Sequence, residues 1–177
     1  MTPQLAAEIV HFRSLRAGSP NSHYAKVHVG TGYSLTQTMD STTYKSYEVK
    51  LRVPFHDLDP LHMVWHGHYL KYFDIARSEL FHSLGVDLFS YFNRTNYLFP
   101  ITKTNTKHIV SLRYRDEFKC KATVVEARYK IVVEFSIRSG AKNQLYAKGR
   151  SEQVAVKYPE MEMLFEIPDE IRKALGF

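Results

Sequence analysis

The chain has 177 residues, a formal charge of +6, 44% hydrophobic residues and one cysteine. That length and apolar content suit one domain with a proper core and exclude a disordered chain. The lone Cys120 excludes an intrachain disulfide and fits a reducing compartment. No apolar run approaches the roughly 18 residues of a membrane span, and no signal-peptide core precedes a small-residue cleavage site. A cytoplasmic protein with no membrane partner is therefore expected. The Lys and Arg residues are dispersed and match no nucleic-acid motif, so the charge points to a phosphorylated small molecule rather than to nucleic acid.

Residues 1–40 differ from the rest. Ala17-Gly18-Ser19-Pro20-Asn21-Ser22 and Gly30-Thr31-Gly32 are loop chemistry. The segment is expected to be a poorly ordered extension or a start placed too early, with Met39 the natural beginning and one domain over 41–177. Tyr44 to Phe55 alternates, with Tyr47, Val49, Leu51, Val53 and Phe55 against Glu48, Lys50 and Arg52, and reads as a strand. A long apolar helix is expected from about His66 to Leu84, with Leu70 and Phe81 widening its buried face and Gly85 as its stop. A loop follows around Asn93-Arg94-Thr95-Asn96. Strands are then expected over Leu98–Tyr114, Lys119–Arg128, Lys130–Arg138 and Gln144–Val156, and a short helix over Pro168–Leu175, opened by Pro168. One strand, a long helix and four strands on short connections imply an α+β domain, an antiparallel sheet curled around a buried helix.

The chemistry concentrates between Val53 and Leu80. Asp57 and Asp59 end the first strand beside Pro60, and a short loop leads into the long helix near His66. That layout sets a carboxylate close to the free N–H groups of a helix N-terminus, where negative charge is favoured. A carboxylate facing such a site is the minimum equipment for acyl-group hydrolysis. On local grounds alone a turn-capping role for Asp59 competes with a catalytic one. Asp57, Asp59, His62, His66 and His68 are also metal-ligand types, but their spacing matches no familiar metal motif. Trp65 and Tyr69 are candidates to line an acyl pocket or simply to pack in the core. Cys120, on the apolar face of an alternating strand, reads as a small core residue.

Asp57-Leu58-Asp59-Pro60, Val64-Trp65-His66, Tyr69, Tyr72-Phe73 and Ala76-Arg77 together resemble the 4-hydroxybenzoyl-CoA thioesterase family, acyl-CoA thioesterases of the hotdog fold. The resemblance is detailed over Leu51 to Leu84 and looser from Leu98 to Val156. It implies a hotdog fold of about five antiparallel strands around one long helix. It implies hydrolysis of an acyl-CoA to free acid and coenzyme A, with Asp59 as nucleophile or general base. The backbone N–H at His66 would polarise the thioester carbonyl, and Asp57 would assist or be structural. It implies no cofactor or metal, coenzyme A being part of the substrate, and a homodimer or homotetramer with sites at subunit interfaces. Arg113, Arg115, Arg128 and Lys130 are candidates for its phosphates, against a plain role in solvating strand edges. The chain departs from the family pattern at Leu61-His62-Met63, where many relatives carry Gly. A thiol has a pKa of about 8.5 and leaves readily, so a strong general acid is less necessary. Two rivals remain: a hotdog dehydratase acting on acyl carrier protein, which usually carries its acid on the helix, and a non-catalytic acyl-CoA-binding protein.

Overall fold

The computed structural model describes residues 44–177; the expectations for residues 1–40 lie outside them. Strand β1 (Ser46–Arg52) and a 3-10 turn (Phe55–Asp57) lead to α1 (His68–Ser83). Then come α2 (Leu88–Thr95), β2 (Tyr97–Leu98) and β3 (Ile101–His108). They are followed by β4 (Glu117–Glu126), β5 (Ile131–Ser139) and β6 (Leu145–Gln153). The chain closes with β7 (Val156–Lys157), β8 (Glu162–Met163) and α3 (Asp169–Ala174). The five long strands form one antiparallel sheet in the order β1-β4-β5-β6-β3. This is the expected hotdog arrangement, with α1 laid on one face.

The register shows why the helix sits where it does. One row across the sheet reads Val49, Cys120, Ile137, Ala147, His108. The next reads Tyr47, Ala122, Phe135, Gly149, Thr106, and a third ends Val124, Val133, Ser151, Thr104. The centre of this face is apolar and buried under Tyr69, Tyr72, Phe73, Ala76 and Leu80 of α1. Those helix residues recur at three- and four-residue spacing, so they share one stripe. Towards β3 each row turns polar. A Cβ at Gly149 would run into the Phe73 ring, which stacks on Phe135 with centroids 4.7 Å apart. The opposite face carries Glu48, Lys50, Lys119, Lys121, Arg138, Lys148 and Arg150 and is left to water, as an antiparallel sheet allows.

Several boundaries differ from those expected. The helix starts two residues later, because Trp65 and His66 belong to the entry turn and Gly67 is the N-cap. Gly85 follows the C-cap Leu84 with φ +71°, a conformation that glycine adopts without a Cβ penalty. Leu70 does not widen the buried face; it is 43% exposed. The loop expected around Asn93–Asn96 is the last turn of α2. Asp87 caps that helix by accepting from the backbone N–H groups of Phe89 (3.0 Å) and Ser90 (3.2 Å). Asn96 closes it in the left-handed conformation. The stretch Leu98–Tyr114 is not one strand: it splits into β2, β3 and an irregular return. Strands β2, β7 and β8 form a second, small sheet.

Candidate active site

The polypeptide between β1 and α1 folds back as a narrow hairpin. Leu58 bridges Val64 and Met63 bridges Arg113. The Asp59 N–H donates to the Met63 carbonyl at 2.8 Å, and the Val64 N–H donates to Leu112 at 2.9 Å. Asp59 stands at the tip. Its Oδ1 accepts from the backbone N–H groups of Leu61 (2.8 Å) and Met63 (3.2 Å). Its Oδ2 has no hydrogen-bond partner among the described residues. One oxygen therefore caps the turn while the other is left unused. His62 takes φ +59° in the same tip, a conformation that favours glycine and that His tolerates better than most residues.

Asp57 is placed very differently. It is fully buried. One oxygen accepts from Lys71 Nζ, and the other accepts from Tyr72 Oη at 2.6 Å. His56 Nε2 (3.6 Å) and His68 Nε2 (3.9 Å) lie near the Lys71-facing oxygen. Burial alone raises a carboxyl pKa, but the Lys71 and Tyr72 hydrogen bonds and the nearby positive charges outweigh it, so the Asp57 pKa is lowered. Burial, and then the hydrogen bond to Asp57 and its charge, raise the Tyr72 pKa. The Asp57 carbonyl also accepts from the Trp65 N–H at 3.0 Å. Asp57 thus ties the hairpin to the first turns of α1.

The helix start itself is open. Trp65 and His68 donate their N–H groups within the turn. The N–H groups of His66 and Gly67 find no acceptor among the described residues. They are the unsatisfied donors that a helix N-terminus offers to an anion. Trp65 is 47% exposed. Its ring lies over Gly67 so closely that a Cβ there would collide with it. It also contacts His66 (centroids 4.9 Å) and His68 (5.4 Å).

Tyr69 points inward. Its hydroxyl accepts from the Leu112 N–H at 3.1 Å, and its ring meets His108 edge-on at 4.4 Å. Partial burial first, then neighbouring His66, lower the His108 pKa, which keeps that imidazole neutral at neutral pH. Local patterning gave no sign of His108, because its partners on α1 lie some forty positions earlier. The pairing of Lys71 with Asp57, fourteen residues apart, was likewise hidden.

The four basic candidates are not brought together. Arg113 and Arg115 border the hairpin, at the start of β4. Arg128 and Lys130 lie beyond its other end, about 30 Å away along the strand. Arg128 faces Glu166 at 3.4 Å, and Lys130 pairs with Glu152 at 2.7 Å. Among the described residues no three His, Cys, Asp or Glu side chains gather as a metal-binding set. The oxygens of Asp57 are committed to Lys71 and Tyr72. Cys120 is buried, and burial pushes its thiol pKa up to about 12, which makes it a poor nucleophile. No helix among the described residues is long and apolar enough to cross a membrane.

Solved structures share this architecture. A 1,4-dihydroxy-2-naphthoyl-CoA thioesterase from Synechocystis superposes with a TM-score of 0.67 at 16% identity, over 73% of this chain and 95% of that one. A 4-hydroxybenzoyl-CoA thioesterase, an Asp-to-Asn variant complexed with 4-hydroxybenzoyl-CoA, gives 0.67 at 19%, over 75% and 99%. A gentisyl-coenzyme A thioesterase gives 0.63 at 21%, over 73% and 100%. These likenesses show the fold. A Synechocystis sp. protein provisionally named an esterase is 36% identical over 69 residues, 39% of this chain and 37% of that relative. The chain therefore matches little more than a third of that protein's length. The model of the thioesterase-like superfamily matches residues 53–175, from the end of β1 to the terminal helix, and the chain belongs to that superfamily.

Proposed function

We propose that this protein hydrolyses acyl-CoA thioesters to the free acid and coenzyme A. The observation that carries the reading is the unused Oδ2 of Asp59, on the hairpin that leads into the open N–H groups of His66 and Gly67. A thioester carbonyl oxygen set on those N–H groups gains a site for the charge that develops as the carbonyl carbon is attacked. Asp59 then acts in one of two ways. Its carboxylate attacks the carbon, expels the coenzyme A thiolate and leaves an anhydride that water opens to two carboxylates. Alternatively, it takes a proton from water, which attacks as hydroxide and expels the thiolate. Both routes consume one water and yield one acid and one thiol. The His66 side chain stands beside the same opening, and its backbone N–H serves whatever the side chain does.

The active form is a homodimer or homotetramer in this reading. The edge strand β3 exposes nearly all of its residues, and an open edge invites pairing with a second copy. Asp59 and the helix start would then come from one subunit and part of the acyl lining from its neighbour. Of the basic candidates, Arg113 and Arg115 lie at the end where the phosphates of coenzyme A would emerge. A panel of acyl-CoA thioesters with free-thiol detection tests the proposal. Steady thiol release that disappears in Asp59→Asn supports it. Tight acyl-CoA binding with no release would make the protein a carrier. Release only from acyl carrier protein thioesters would move the substrate class.

A further inference from the structure

Arg77 belongs to the Ala-Arg pair of the helix motif, and no role has yet fallen to it. Its side chain is mostly buried between α1 and the sheet. Among the described residues its guanidinium makes one hydrogen bond, from Nη2 to Asp74 Oδ1 at 2.7 Å. A guanidinium carries five N–H donors, so most remain available. On one side of Arg77 lies a cleft of about 140 Å³, walled by Leu70, Phe73, Ile101 and Phe135, with Thr104 and Ser151. On the other side a depression of about 350 Å³ between α1 and α2 includes Gln153.

Ser151 and Gln153 are each only 3% exposed. Yet Ser151 Oγ and Gln153 Oε1 have no hydrogen-bond partner among the described residues. Native folds rarely leave such atoms alone. The Gln153 amide is not simply reversed: its Nε2 donates to the Phe99 carbonyl at 2.8 Å, and turning it would set two acceptors face to face.

The place of these groups relative to the hairpin is fixed by register. The His108–Ala147 row lies against Tyr69, beside the start of α1. Ser151 faces Thr104 four residues further along β6, about 13 Å away. Leu70, Asp74 and Arg77 recur at helical spacing from the first turn of α1, so they line one flank of it. The cleft therefore lies along the seam between α1 and β3, in line with the helix start.

We infer that this seam holds the acyl chain of the substrate, and that Ser151 and Arg77, which both line it, bind a hydroxyl group at the chain's far end. The inference rests on the proposed hydrolysis at Asp59. The apolar walls suit methylene groups. A hydroxyl accepts from Arg77 and donates to Ser151 Oγ. A terminal carboxylate has no proton to donate to Ser151 Oγ and would compete with Asp74 for Arg77. With C–C bonds of about 1.5 Å, an extended chain covers about 13 Å in roughly ten bonds.

The test compares ω-hydroxydecanoyl-CoA, decanoyl-CoA and the mono-CoA thioester of decanedioic acid on the full chain. The hydroxylated chain should show the highest kcat/KM, by about tenfold or more over the plain chain, because a site built around a hydroxyl rejects the analogue that lacks it. In Ser151→Ala that ratio should fall towards one. Equal values for the hydroxylated and plain chains, or preference for the plain chain or the diacid, would overturn the inference. Trp65, the sole tryptophan, reports binding separately through its fluorescence. If no thioester were hydrolysed, the Asp59 reading would fall. Tighter binding of the hydroxylated chain than of the plain chain, lost in Ser151→Ala, would still support the hydroxyl site, and equal binding would remove it.

Discussion

Two carboxylates of one type, two positions apart, have opposite surroundings. Asp57 is sealed beneath the helix start, and both its oxygens are taken by Lys71 and Tyr72. Asp59 stands on the hairpin tip with one oxygen spent on two backbone N–H groups and the other unspent. In the proposed function the buried carboxylate, its oxygens committed, holds structure, and the half-exposed one, with an oxygen to spare, reacts.

The largest expected effect comes from the tip. Asp59→Asn should lower turnover by about a hundredfold or more while acyl-CoA binding persists. The amide still accepts from Leu61 and Met63, so the turn survives, but it neither attacks nor takes a proton. Retained turnover would show that the spare oxygen is idle. The next effect should appear in stability. Asp57→Ala strands the buried Tyr72 hydroxyl and unpairs Lys71, whose ammonium stays open to water, and should cost about 2–3 kcal/mol, measured by denaturant unfolding. A loss under 1 kcal/mol would mean that water already reaches the pair.

Tyr72→Phe removes one neutral donor to the same carboxylate and should cost about 1–3 kcal/mol, with turnover changed far less than in Asp59→Asn. The Asp57 contribution also has a definite pH signature. Its folded-state pKa lies below the ordinary value of 3.8. The stabilisation is thus fully present above that value and is lost as pH falls through the folded pKa. The stability gap between wild type and Asp57→Asn should be constant above about pH 5 and shrink in acid below 3.8. A gap that widened in acid would reverse the assignment. The smallest effect should come from His62→Gly. It relieves a left-handed residue worth about 1–2 kcal/mol of strain, and the added freedom of the unfolded chain returns about 0.5–1 kcal/mol of that. A melting temperature within a few degrees of wild type is expected.

Much of the sheet was legible because β4 and β5 alternate cleanly and each buries one apolar face, so Cys120, Ala122 and Val124 fall where their period puts them. The long helix was legible from Tyr69, Tyr72, Phe73, Ala76 and Leu80. Its start was not, because Trp65 and His66 continue the apolar pattern although their backbone is still turning. Helix α2 was missed because Asn93-Arg94-Thr95-Asn96 has loop composition. The Asp87 cap, followed by Leu88, Tyr91 and Phe92, was the overlooked signal. The paired aspartates were visible, and the resemblance set Asp59 to react and Asp57 to assist or be structural, but the anchoring of Asp57 was not legible. It depends on Lys71 and Tyr72, fourteen and fifteen residues after Asp57, and no local pattern encodes that contact.

The most direct test measures two quantities on two variants: thiol release from a thioester that the wild type hydrolyses, and unfolding free energy. Asp59→Asn should lose turnover and keep stability near that of the wild type. Asp57→Asn should lose stability and keep the larger share of its turnover at temperatures where it is folded. The reverse pattern, with Asp57→Asn folded but inactive and Asp59→Asn active, would contradict the assignment and place the reacting carboxylate beneath the helix.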